Sequence, residues 1–167
     1  MNSSITGNII RFILLALVQI SIFNNIDFLG YINPYVYILF IAFFPVGKDR
    51  LLLIFLSFFL GLTIDMFLDS GGIHAAASVC IAYARPVLLK SAFGTMYEHQ
   101  SVKFDSINLG QTITYIALLT LVHHVVLFSL EVFNPSKVIL ILKKTLFSGI
   151  FTILLCVIIS IIFNRRK

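Results

Sequence analysis

GLTIDMFLDSGGIHAAASVCIAY, residues 61–83, decides how this chain folds. Two apolar runs meet there across Asp69-Ser70-Gly71-Gly72, a polar turn rich in glycine. The runs on either side approach the 20 or so mainly apolar residues that a membrane span needs. The same stretch holds two carboxylates and a histidine close to the break: Asp65, Asp69 and His74. An ionisable group at membrane depth is costly, so these residues require partners or a function.

The rest of the chain is of the same kind. Of its 167 residues 59% are hydrophobic and 11% charged, against about 45–50% and about 25% in soluble domains. Mean hydropathy is +1.04. This predicts an all-α integral membrane protein, a single transmembrane helical domain over residues 1–167. No polar stretch reaches the roughly 50 residues of a separate soluble domain. The net charge of +5 does not point to nucleic acid, because the basic residues sit at span ends, where they orient a membrane protein. Arg165, Arg166 and Lys167 can add attraction to anionic membrane lipids, roughly 1 kcal/mol each. Cys80 and Cys156 fall inside apolar runs and read as small packing residues rather than disulfide or metal partners. The polar start, residues 1–10, leads into an apolar run without a small-residue cleavage pattern, so an uncleaved first span is expected.

Six candidate spans emerge, at about residues 9–23, 34–46, 51–68, 73–93, 111–133 and 145–163. Asn33-Pro34 opens the second, with proline where its missing N–H is harmless. That run is short, and a tilted or re-entrant course is its alternative. If all six cross and the N-terminus is cytoplasmic, nine of the twelve basic residues face inward: Arg11, Lys48, Arg50, Arg85, Lys90, Lys103, Arg165, Arg166 and Lys167. Three face outward: Lys137, Lys143 and Lys144. The bias predicts both termini on the cytoplasmic side. Residues 137–144 are expected to lie as an interfacial helix before the last span, and residues 94–110 as a cytoplasmic connection.

Helices in lipid associate through small residues and polar contacts. Positions four apart share a face. On the third span Ser57, Gly61, Asp65 and Asp69 form such a row, and on the fourth Gly72, Ala76, Cys80 and Ala84 form another. A short turn joins these spans, so the rows are expected to face each other. Ser148, Thr152, Cys156, Ser160 and Asn164 make a third row, on the last span.

Asp65, Asp69 and His74 could converge near the outer surface as a shallow polar pocket or a docking site for a partner. The alternative is that Asp65 is bonded by neighbouring helices, Asp69 ends a turn in water and His74 is interfacial. Arg85 lies eleven residues beyond His74, about 16 Å along a helix, and reads either as an anchor snorkelling to the cytoplasm or as a partner contact. His123 and His124 are adjacent, so they point about 100° apart on a helix and do not easily chelate one metal. His124 and Gln19 read as interhelical hydrogen-bonding groups. The chain has no G-x-S-x-G, no Walker A and no dinucleotide fingerprint. Asp65 has no second carboxylate deep in another span. An enzyme, a cofactor and a metal centre are therefore not expected.

Asn33-Pro34-Tyr35, together with GLTIDMFLDSGGIHAAASVCIAYARP, residues 61–86, resembles the MreD family of bacterial rod-shape proteins. A G-x-x-x-D helix end, a small glycine turn and an H-A helix start recur together in that family. The first and last spans match in hydropathy alone. The resemblance implies a compact six-helix bundle, similar to the S components of vitamin transporters, in the bacterial cytoplasmic (inner) membrane. It implies a non-enzymatic scaffold for cell-wall elongation and lateral peptidoglycan synthesis. The implied partners are a single-span MreC-like periplasmic protein, RodA with a penicillin-binding transpeptidase, and indirectly MreB. On that reading Asp65, Asp69, Gly71, Gly72, His74 and Arg85 form the partner-binding or structural polar cluster. Gly61, Ala76, Cys80 and Ala84 would carry helix packing. The competing reading is a small-solute-binding, S-component-like subunit of a vitamin transporter.

Overall fold

The computed structural model describes residues 5–26, 32–46, 49–94 and 108–164. Among them the fold is all-helical: α1 Ile5–Ser21, α2 Ile38–Ala42, α3 Arg50–Leu68, α4 Ile73–Phe93, α5 Leu109–Val132 and α6 Val138–Asn164. Short 3-10 turns lie at Phe23–Asn25 and Pro135–Lys137. Five stretches, all but α2, are long and apolar enough to cross a membrane. By that criterion the chain is a multi-pass membrane protein.

Local chemistry sets the helix ends. Asp49 starts α3 by accepting from the Leu51 N–H at 2.9 Å, and Asn108 starts α5 by accepting from Gly110 at 3.0 Å. Between α3 and α4 the chain reverses through positive φ at Asp69 (51°), Gly71 (68°) and Gly72 (94°). Two glycines make that reversal inexpensive, because side chains disfavour the left-handed region. Consecutive helices α3, α4, α5 and α6 pack in sequence order, and α1 leans on α3 and α2.

Two expectations about elements are corrected. The second run is no span-length helix. It enters as non-helical backbone at residues 32–35, turns, and forms only the five-residue α2. Every residue from 34 to 42 is buried. Tyr35 stacks beside His74 near the start of α4, and the Ala42 and Phe44 carbonyls meet Arg85 further along it. The segment therefore threads the middle of the bundle beside α4. Nor do residues 137–144 form a separate interfacial helix: α6 runs unbroken for 27 residues from Val138, about 40 Å at 1.5 Å per residue. The connection expected at residues 94–110 falls largely outside the described residues, as do Arg165, Arg166 and Lys167.

Candidate functional site

The α3–α4 joint comes first. Gly61 lies against the first turn of α4, so closely that a Cβ there would sit 2.5 Å from the Ala75 Cα and the His74 carbonyl oxygen. Only glycine allows that approach. One turn further, Asp65 reaches the start of α4. Its Oδ1 accepts from the His74 N–H at 3.0 Å and from Ser70 Oγ at 2.6 Å, and its Oδ2 accepts from the Ala75 N–H at 2.8 Å. A helix begins with unpaired N–H groups and a partial positive charge. Gly72, the residue before α4, has no side chain to cap it. Asp65 supplies that cap from the preceding helix.

His74 completes the joint. Its Nδ1 lies 3.0 Å from Asp65 Oδ1 and 3.1 Å from Ser70 Oγ. Meeting the carboxylate requires hydrogen on Nδ1, which turns Nε2 inward. That nitrogen is buried with no hydrogen-bond partner among the described residues. An Asp-oriented imidazole is the arrangement of a hydrolytic base. Here, however, the ring is closed in by Tyr35 and Tyr37, with centroids at 5.4 and 6.2 Å.

Below the joint lies a layer of rings from the interior segment and α5. Tyr35 contacts His123 and His124 at 6.0 and 5.4 Å, and Tyr37 contacts His123 at 5.4 Å. The two histidines, expected to diverge, bring their Nδ1 atoms to 3.4 Å. Their far ends meet different elements: His123 Nε2 the Tyr37 hydroxyl at 2.7 Å, His124 Nε2 the Thr152 hydroxyl at 3.2 Å. The expectation of an interhelical role for His124 is met by that contact with α6. No group of three or more His, Cys, Asp or Glu with metal-holding geometry occurs among the described residues.

Irregular backbone at membrane depth is tolerated only where protein satisfies its polar groups. The interior segment has such partners on four helices. Asn33 and Tyr35 donate their N–H groups to Ser148 Oγ at 3.4 Å and Thr152 Oγ1 at 3.1 Å on α6. Alternate residues of an extended chain are about 6.6 Å apart, and residues four apart on a helix about 6 Å. A hydroxyl row of one-turn spacing therefore stands in for a neighbouring strand. From α1, Gln19 donates Nε2 to the Pro34 carbonyl at 3.1 Å and accepts from the Tyr37 N–H at 3.4 Å. At the other end Arg85 donates to the carbonyls of Ala42, at 3.2 Å, and Phe44, and through Nε to the Tyr115 hydroxyl at 3.1 Å. Tyr115 in turn donates to the Ala42 carbonyl at 3.2 Å. These carbonyls end α2, where a cation is favoured.

The structure thus separates the residues singled out from sequence. Asp65, His74 and Gly61 form one joint with Ser70, and Gly71 and Gly72 shape its turn. Asp65 and His74 are buried and directed inward rather than forming an open outer pocket. Asp69 does not join them: it is the exposed left-handed residue that ends α3. Arg85 does not snorkel, since its guanidinium is buried on α2. The proposed small-residue row of α4 is also displaced. Ala76 is exposed and Cys80 and Ala84 only partly covered, while the buried stripe runs through His74, Ser78, Ile81, Arg85 and Leu89. The row Ser57, Gly61, Asp65 on α3 is buried throughout. Sequence reading missed Tyr35, Tyr37, Tyr115 and His123 as members of the polar and aromatic network along the interior segment. The available signal was Asn33-Pro34, because proline disfavours helix in the residue before it and so marks a non-helical entry to the segment.

A scan of protein-family models and searches of curated proteins and solved structures find no match to this chain.

Proposed function

We propose that this chain is a non-enzymatic scaffold subunit of a bacterial rod-shape, cell-wall elongation complex, acting in the cytoplasmic membrane as an MreD-like protein. The observation that carries this reading is the filled interior. Where a solute-binding bundle needs a cavity with convergent polar groups, Val36, Tyr37 and Ile41 of the chain's own segment occupy the middle, each with no exposed surface. Most of the polar side chains around them are committed to that segment's backbone or to one another. Such a bundle offers partners a rigid outer surface rather than a binding chamber. The resemblance of residues 33–35 and 61–86 to the rod-shape family supplies the rest of the argument.

On this reading residues 32–46 count as a sixth crossing, and both termini face the cytoplasm, since this gives the nine-to-three division of basic residues. The partners are an MreC-like single-span protein, and RodA with its transpeptidase. The fold is of the S-component kind. Affinity purification of the tagged protein in mild detergent, with mass spectrometry of what co-purifies, tests the proposal. Recovery of an MreC-like protein with RodA supports it. Recovery of a membrane coupling subunit with paired ATPases replaces it with the solute-binding reading. The Nε2 of His74, buried among tyrosines with no hydrogen-bond partner among the described residues, favours that second reading.

A further inference from the structure

One face of α6 joins an exposed ammonium to an apolar groove. The groove, about 310 Å³, is lined by Ile32, Phe147, Ile150, Phe151 and Leu154. Its floor includes Ile32, from the interior segment, and its wall is α6. Lys143, Phe147, Ile150 and Leu154 stand at i, i+4, i+7 and i+11, one stripe of that helix. Lys143 is exposed one turn above the groove. Its neighbour Lys144 is already taken, by Glu131 at 2.6 Å and by the face of Phe128. Among the described residues Lys143 makes no ion pair or hydrogen bond.

We propose that this stripe binds an anionic phospholipid, with the phosphate on Lys143 and an acyl chain in the groove. Charge and length both favour this occupant. The ammonium calls for an anion, and every groove residue calls for hydrocarbon. From Lys143 to Leu154 the helix rises about 16 Å, against about 15 Å for half of a hydrocarbon core. One phospholipid leaflet therefore matches the stripe from headgroup to chain end.

The test exploits the absence of tryptophan from the chain. Phe147→Trp places a single reporter in the groove, and Phe67→Trp places one on the exposed end of α3, away from it. Each variant is reconstituted in phosphatidylcholine vesicles, and its fluorescence is titrated with brominated phosphatidylglycerol or brominated phosphatidylcholine. At Phe147→Trp the anionic lipid is expected to quench with about fivefold higher affinity, the equivalent of roughly 1 kcal/mol for one basic residue at a phosphate. The preference should vanish in Lys143→Gln and be absent at Phe67→Trp. Equal quenching by both lipids at Phe147→Trp overturns the site, and so does a preference that survives Lys143→Gln. Protection of that reporter from both lipids also overturns it, because another helix or a second copy would then fill the groove. All three substitutions lie at solvent- or lipid-facing positions, so folding is not the variable.

Discussion

At the scale of single residues, the two aspartates near the turn have opposite characters although they stand four residues apart. Asp65 is buried and accepts from two main-chain N–H groups, a hydroxyl and an imidazole. Replacing it with alanine leaves those donors unpaired in an apolar setting, at a cost of about 3 kcal/mol or more. Asp65→Asn is expected to fall between, because its amide group would turn one donor toward another. Asp69 is exposed with φ 51°, so Asp69→Gly should be neutral or stabilising by up to about 1 kcal/mol as left-handed strain is relieved. Reversible unfolding in mixed micelles would measure all three, and a loss at Asp69→Gly equal to that at Asp65→Ala would refute the assignment of the cap. Gly61→Val introduces a branched side chain, whose Cβ alone would sit 2.5 Å from the backbone of α4, and should cost about 1–3 kcal/mol or prevent assembly of the α3–α4 pair.

At the scale of elements, the interior segment is the unusual part, because its stability is lodged in its neighbours' side chains. Arg85→Leu removes a donor from both the Ala42 and Phe44 carbonyls; Ala42 keeps the Tyr115 hydroxyl, so the cost falls on the Phe44 carbonyl, about 1–3 kcal/mol. Arg85→Lys keeps the charge but not the fork that spans two carbonyls and a phenol, so it should rescue only in part. Hydrogen exchange across residues 36–44 is the readout. Faster exchange there in Arg85→Leu, with α3 unchanged, is expected, and uniform loss of protection would mean that Arg85 holds the whole bundle rather than this segment. Thr152→Val is nearly isosteric and should open the same region from its other end, since it frees the Tyr35 N–H and the His124 imidazole. Cys156, one turn along the same face, makes no hydrogen bond among the described residues, so Cys156→Ala serves as the comparison: it should shift stability through packing alone.

At the scale of the whole molecule, the enclosed segment decides how the chain meets the membrane. The segment passes from the start of α4 to the level of Arg85 without touching lipid along residues 34–42, so hydropathy is a poor guide to whether it counts as a crossing. Reporter fusions settle the point. With residues 32–46 as a sixth crossing, alkaline phosphatase fused after Phe93 should be inactive and a fusion within residues 134–137 active. The reverse pattern, together with an N-terminal fusion that reports a cytoplasmic N-terminus, would place the termini on opposite sides and make five crossings the correct number. The filled interior carries a further expectation: small solutes should not raise the protein's thermal stability, whereas a bound partner should, in proportion to how far its concentration exceeds its dissociation constant.

Sequence alone determined the class of this protein and the place of its main joint. Apolar runs of span length, separated by Asp-Ser-Gly-Gly and Asn-Pro-Ser, leave few alternatives to a helical membrane bundle, because lipid cannot satisfy free backbone groups. The G-x-x-x-D spacing likewise marked Gly61 and Asp65 as one face. Tertiary structure decided where the polar residues point. Arg85 can snorkel or turn inward by sequence, and only the position of the Ala42 and Phe44 carbonyls selects the second. The hydroxyls of Ser148 and Thr152 look like helix packing until an extended segment lies beside them. The residues that fill the bundle were the least legible, since a buried broken segment and a short span have the same composition. They differ only in what surrounds them: four helices carrying hydrogen-bonding side chains at the depth where the backbone needs them.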